Sequence, residues 1–307
     1  MKKKYYYLLG AIILLFAYFG IFCFPTVMIN TSINALLIFR EKLFPSIFPF
    51  FVLSFLFINM GYPVILSKYF KKIMNCIFHL GENSSFILLM SMISGFPSGA
   101  KYIVKDYEAG YISKDEGNHL LVFTHFGNPL FVLGTCGLLL GNKRLAYKIF
   151  IIQLLSNIIL GILLRPKVRK EVIKKEVELP PTPNILLFLP DAINEAMQVL
   201  IFMLGSITIF QFFTNCFLLF FNESNFTKVI FSGFMDLTTG ISLVPTLDFP
   251  LKIKALIMLN FITFGSLSVH LQVINAIKKT DISYYNFLIG RVLQSVIASI
   301  LFLCERL

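Results

Sequence analysis

The fold is decided by the stretch Gly95-Phe96-Pro97-Ser98-Gly99-Ala100-Lys101, which interrupts an apolar segment and is followed by Phe126-Gly127-Asn128-Pro129. A comparable pair comes later, where Asp236-Leu237-Thr238-Thr239-Gly240 is followed by the stretch Phe264 to Gln272. Helix breakers, hydroxyls and an acid in apolar sequence need polar partners, and the hydrocarbon of a bilayer tolerates them only around a protein-lined cavity. The pattern predicts a paired, broken-helix binding site within a membrane.

The composition predicts a polytopic membrane protein. The 307 residues are 57% hydrophobic and 14% charged, whereas soluble domains carry about 25% charged residues. A net charge of +11 would suit nucleic acid in a soluble domain, but Lys and Arg lie mostly between the apolar segments. This placement is typical of the positive-inside rule. The expected partner is therefore the lipid bilayer and not nucleic acid.

The chain offers apolar segments of the ~20 residues that span a bilayer. The uninterrupted candidates are Tyr5 to Phe24, Leu43 to Leu66, Leu120 to Leu140, Leu145 to Leu164, Leu200 to Phe221, Leu251 to Leu271 and Tyr284 to Leu303. Two further segments, Ser85 to Val104 and Val229 to Leu247, are interrupted by the polar motifs.

A basic, proline-containing stretch divides the chain and predicts a cytoplasmic linker. The predicted organisation is an N-terminal transmembrane helix and connector at 1–42, a first half at 43–164, the linker at 165–184 and a second half at 185–307.

Charge bias decides how the interrupted segments run. If both crossed the membrane and the N-terminus were cytoplasmic, the basic linker would lie outside, against the positive-inside rule. Two re-entrant hairpins that enter from opposite sides avoid this conflict, although the smaller basic pairs at Lys143 and Lys252 then lie outside. We therefore expect an all-α, inverted-repeat, transporter-like bundle with two re-entrant hairpins and broken helices.

The first motif favours an anion site. A break at Pro97 frees the N–H groups at the start of the following half-helix, where they can bind an anion. This half-helix begins with Ser98 and Gly99, and Lys101 lies within its first turn. Alternatively, Lys101 reaches the interface and the glycines only pack closely. The amide of Asn128 either contributes to a site or satisfies its own helix break.

The second motif is centred on Asp236, an acid that must be neutralised, paired or hydrated inside a membrane. Three roles stay open, which are binding a coupling proton or sodium ion, pairing with Lys101, and contacting the substrate. An interfacial, solvated Asp236 is the alternative. Thr238 and Thr239 add hydroxyls at the same break.

Polar residues also alternate with apolar ones in the last motif. Ser266, Ser268, His270 and Gln272 fit a period of two, which predicts an extended or unwound stretch that turns all four to one side.

No enzyme chemistry is expected. The sequence has neither an H-E-x-x-H motif nor a serine nucleophile elbow, and its five cysteines have no metal-ligand spacing. No metal or other cofactor is predicted.

The chain resembles the YlbJ-type sporulation integral membrane proteins, which belong to the larger group that carries the nucleoside-recognition Gate domain. The matching residues are Leu43 to Phe51, Ser94 to Lys101, Phe123 to Phe131, Leu237 to Gly240, Phe264 to Gln272 and Arg291.

This resemblance implies a site like that of concentrative nucleoside transporters, which two hairpins and two broken helices form. The implied site residues are Ser98, Gly99, Asn128, Asp236, Thr238, Ser266 and Gln272, to which the motif chemistry adds Lys101, Thr239 and Ser268. The chain departs from the family where Glu is expected at Asp236 and Gly at Ser266.

The family is linked to endospore formation and to the movement of dipicolinic acid across the membrane around the developing spore. The resemblance therefore implies a transporter of a small organic anion, with dipicolinic acid as the first choice. A nucleoside or other small-solute transporter and a non-transporting scaffold of a sporulation complex are the alternatives. Homo-oligomerisation stays open.

Overall fold

The computed structural model describes residues 2–81, 83–165, 184–219 and 224–304, and these ranges contain helices and no strand. The predicted linker 165–184 lies outside the described residues except for its two end residues. The helices are α1 Lys2–Cys23, α2 Pro25–Ile38, α3 Phe44–Asn59, α4 Tyr62–Ile73, α5 Ser84–Ser94, α6 Ser98–Glu108, α7 Lys114–Phe123, α8 Gly137–Leu140, α9 Lys143–Leu163, α10 Ile185–Leu218, α11 Asn225–Met235, α12 Leu237–Leu243, α13 Leu251–Phe264, α14 Ser266–Ile277 and α15 Tyr284–Cys304.

Four stretches of the described residues are long and apolar enough to cross a membrane, namely α9, α10, α13 with α14, and α15. Two sharply bent pairs bring the number to six if each is one span. They are Gly10–Cys23 with Pro25–Glu41, bent by 102°, and Ile47–Asn59 with Val64–Phe78, bent by 81°. The prediction of an all-α polytopic membrane protein is confirmed.

The N-terminal region contains a second helix after α1. The stretch taken as a connector after the first helix forms α2, which begins at Pro25 because proline suits the first turn of a helix. α2 packs against the long helix α10. The amide of Asn215 on α10 donates a 2.6 Å hydrogen bond to the hydroxyl of Thr31 on α2.

The prediction of one continuous span from Leu43 to Leu66 is wrong. α3 ends at Asn59, and α4 begins at Tyr62 after a sharp bend. Gly61 lies between them with φ +78°, a left-handed conformation that glycine adopts without a steric penalty. The apolar composition is continuous across this point, so length and hydropathy alone did not reveal the break.

The centre of the molecule is formed by α7, α9, α13 and α15, which pack against one another. Its largest fully buried side chains include Phe123, Phe126, Phe287 and, among them, the charged Arg291. The two predicted hairpins and both predicted helix breaks lie against this centre.

Candidate functional site

The first polar motif forms a tight helical hairpin. α5 ends at Ser94, Gly95 adopts φ +72°, and α6 begins at Ser98. A Cβ added at Gly99 would lie 2.7 Å from Oγ of Ser91 and 2.8 Å from the carbonyl oxygen of Thr124. Gly99 thus lets the two arms of the hairpin and the end of α7 pack closely. This agrees with the alternative interpretation, in which the glycines serve close packing.

The tip of this hairpin rests on the first broken helix, where residues 124–128 are not helical. The backbone N–H of Phe96 donates a 2.8 Å hydrogen bond to the carbonyl of Phe126. Oδ1 of Asn128 accepts hydrogen bonds from the N–H groups of Leu130 at 2.9 Å and Phe131 at 3.2 Å. The Asn128 amide also donates across 3.5 Å to the carbonyl of Ser94. Asn128 therefore caps its own helix break and ties it to the hairpin.

Two amides from α9 bind further backbone groups of this break. Gln153 accepts from the N–H of Gly127 at 2.9 Å and donates to the carbonyl of the same residue at 3.2 Å. Asn157 donates a 2.6 Å hydrogen bond to the carbonyl of His125. Sequence reasoning missed both residues, although two amides spaced four apart on an otherwise apolar helix were a usable signal.

The second polar motif forms a second hairpin. α11 ends at Met235, Asp236 is extended, and α12 begins at Leu237. A Cβ added at Gly240 would collide with Cα of Gly233, so the two arms are in direct backbone contact. Both polar motifs therefore form helical hairpins at the predicted positions.

Asp236 is buried and caps α12. Its Oδ2 accepts hydrogen bonds from the backbone N–H of Thr239 at 2.8 Å and from the Thr239 hydroxyl at 2.7 Å. The Ser268 hydroxyl on α14 lies close to this carboxyl group. Among the described residues, no ion pair joins Asp236 to Lys101, so the pairing role considered for Asp236 has no support here.

The second broken helix is interrupted only at Gly265, which has φ +91°. The prediction of an extended stretch from Ser266 to Gln272 is wrong, because the chain returns to a helix immediately as α14. Ser266 and His270 are four residues apart, as are Ser268 and Gln272, so each pair shares one helical face. All four side chains are buried because α14 packs against α6, α11 and α12.

Ser266 joins this break to the second hairpin at a cost in backbone conformation. Its hydroxyl donates a short hydrogen bond to the carbonyl of Gly233. Its φ of +49° is left-handed and would suit glycine, the residue that the family resemblance leads one to expect here. The Ser266 side chain therefore links α14 to α11, a hydrogen bond that glycine could not make.

Arg291 on α15 connects the two broken helices. Its guanidinium donates to the carbonyl of Val122 in the last turn of α7 at 2.5 Å and to that of His125 in the first break at 3.5 Å. It also donates to the carbonyl of Thr263, near the end of α13, at 3.3 Å. Helix C-terminal carbonyls carry partial negative charge, so they favour a buried cation. Sequence reasoning used Arg291 only for the resemblance, although a charge inside an apolar span was itself a signal.

The first polar cavity lies beside the first hairpin and has a volume of 240 Å³. Ser98, Lys101 and Lys105 of α6 line it, as does Glu195 of α10. The Ser98 hydroxyl is buried and has no hydrogen-bond partner among the described residues.

The second polar cavity measures 390 Å³ and lies beside the second hairpin. Thr239, Gln211 and Asn215 line it, and Gln211 donates a 2.8 Å hydrogen bond to the Thr239 hydroxyl. Gln211 is sixteen positions after Glu195 on α10, which separates the two cavities by roughly 24 Å along that helix.

The structure thus divides the predicted site residues. Ser98 and Lys101 line the first cavity and Thr239 lines the second. The remaining predicted residues are buried in the packing of hairpins against broken helices, namely Gly99, Asn128, Asp236, Thr238, Ser266, Ser268 and Gln272.

Comparison with known proteins agrees with an integral membrane protein. The chain is 28% identical to the "Sporulation integral membrane protein YlbJ" of Bacillus subtilis (strain 168), over 90% of this chain and 77% of that protein. The match supports membership of the YlbJ-type family. No protein-family model matches the chain, so the Gate-domain grouping stays a prediction. No solved structure matches it either.

Proposed function

We propose that this protein transports a small organic anion across a membrane, with dipicolinic acid as the substrate. The observation that carries the proposal is the first cavity, where a buried, unpartnered hydroxyl at the start of α6 meets two lysines. The sporulation name of the Bacillus relative supports the membrane around the developing spore as the location.

The walls of this cavity match a planar dianion. Lys101 and Lys105 are one helical turn apart, so they can each approach one carboxylate. The Ser98 hydroxyl and the positive N-terminal end of α6 add a neutral donor and a favourable dipole. Phe55 and Tyr102 also line the cavity and offer ring faces for an aromatic substrate.

Asp236 is the coupling group in this proposal and binds a proton or sodium ion. It is a buried carboxyl group surrounded by the hydroxyls of Thr239 and Ser268. Oxygen atoms of this kind suit a hard cation, and a buried acid is otherwise costly in a membrane. The bound proton or sodium ion would neutralise Asp236 while the anion crosses the membrane. Asp236 does not line the first cavity, so the acid and the anion stay apart.

A neutral polar solute such as a nucleoside is the second candidate. The second cavity favours it, because the amides of Gln211 and Asn215 and the hydroxyl of Thr239 can donate and accept hydrogen bonds. Among the residues that the structure describes, no lysine lines this cavity, and Glu41 in its lining would repel an anion. Uptake of uridine in preference to dipicolinate would support this function.

The proposed function is tested with purified protein in liposomes. We expect uptake of labelled dipicolinate by the wild type, at least tenfold slower uptake by Lys101→Gln, and unchanged uptake by Lys228→Gln, an exposed lysine on α11 outside both cavities. Spores that make Ser98→Ala or Asp236→Ala protein at normal levels should contain less dipicolinate. Full spore dipicolinate with both variants would instead indicate a non-transporting scaffold.

A further inference from the structure

We infer that Glu195 is an internal competitor for the anion in the first cavity and keeps its binding weak enough for release. The inference rests on the proposed function and assigns a role to a residue on α10, outside both hairpins.

One acid and two lysines line the same cavity. Lys101 and Lys105 lie four residues apart on α6, and Glu195 faces the same 240 Å³ cavity from α10. Glu195 attracts both lysines electrostatically, but no direct ion pair joins them among the residues that the structure describes. The space between these charges is the space that an anion would occupy.

The charge balance gives Glu195 its effect. Two lysines would give the cavity two positive charges, and Glu195 reduces the excess to one. Asp191 lies one turn earlier on α10, and its negative charge repels that of Glu195. An entering dianion must therefore displace the attraction between Glu195 and the lysines and also approach a like charge.

A transporter benefits from this competition. A binding site must be favourable enough to be entered and weak enough to be left. When the substrate departs, Glu195 again neutralises part of the lysine charge, so the empty cavity does not retain the anion.

The neighbouring Gln198 provides a matched comparison, because it lines the same cavity one turn further along α10. Glu195→Gln removes the competing charge, and Gln198→Glu adds a second one. We expect Glu195→Gln to lower the Kd for dipicolinate roughly tenfold and Gln198→Glu to raise it by a similar factor. Glu195→Asp should bind like the wild type.

The measurement is a calorimetric titration of purified full-length protein with dipicolinate at constant ionic strength, after melting curves without ligand show that the variants are folded. Unchanged or weaker binding by Glu195→Gln, with clear binding by the wild type, overturns the role of Glu195 and leaves the proposed function intact. A lack of dipicolinate binding by the wild type and all variants contradicts the proposed function itself. Equal effects of Glu195→Gln and Lys228→Gln also overturn the inference.

Discussion

The guanidinium of Arg291 donates a 2.5 Å hydrogen bond to the backbone carbonyl of Val122, although the two residues lie on different helices. The same side chain reaches the carbonyl of Thr263 at 3.3 Å, near the second break. One buried cation thus joins the ends of α7 and α13. The two broken helices form one unit, against which the two hairpins pack.

Arg291→Met should destabilise the protein strongly, because it leaves several buried carbonyls without a donor. We expect a loss of about 3 kcal/mol in the free energy of unfolding, measured by denaturant titration in detergent. Arg291→Lys should recover only part of this loss, because one ammonium group cannot reproduce the planar fork of donors. A fully stable Arg291→Met protein would contradict the linking role.

The sequence was sufficient to predict the hairpins and both breaks. Gly, Pro and an acid in apolar sequence have few structural solutions in a membrane, so the positions of Gly95, Asp236 and Gly265 could be inferred from local chemistry. The bend at Gly61 could not, since a single glycine in apolar sequence is also compatible with a continuous helix.

The grouping of side chains could be predicted less well. Lys105 and Glu195 line the first cavity because α6 and α10 both border it, and this juxtaposition has no local sequence signal. The period of two in Ser266 to Gln272 suggested an unwound stretch, but packing on three sides restored the helix. Asp236 is a helix cap rather than a partner of Lys101, because its carboxylate accepts a hydrogen bond from the backbone N–H of Thr239, only three residues later.

Gly240→Ala should weaken the second hairpin, because the added methyl group would collide with the backbone of Gly233. Overpacking of this kind costs about 1 to 3 kcal/mol. Gly205→Ala on α10 is the matched control, since nothing lies within 4 Å of its added Cβ. Melting curves of the two variants should differ clearly, and equal melting temperatures would argue against close contact of the hairpin arms.

Two substitutions at Ser266 separate its backbone strain from its hydrogen bond. Ser266→Ala and Ser266→Gly both remove the hydroxyl that reaches Gly233, but only glycine relieves the left-handed φ of +49°. We expect Ser266→Gly to be more stable than Ser266→Ala by about 1 kcal/mol, measured by denaturant titration. The reverse order would show that this backbone conformation carries no penalty.

Asp236→Asn and Asp236→Ala distinguish the capping role of this residue from its proposed coupling role. Asparagine is as good an N-cap as aspartate, so Asp236→Asn should retain near-normal stability, whereas Asp236→Ala should lose about 1 kcal/mol. If Asp236 also binds the coupling ion, dipicolinate uptake by Asp236→Asn should no longer respond to pH or sodium gradients. Uptake in liposomes with imposed gradients measures this response, with Lys228→Gln as the control. A gradient response that survives in Asp236→Asn would leave Asp236 with a structural role alone and would assign coupling to another residue.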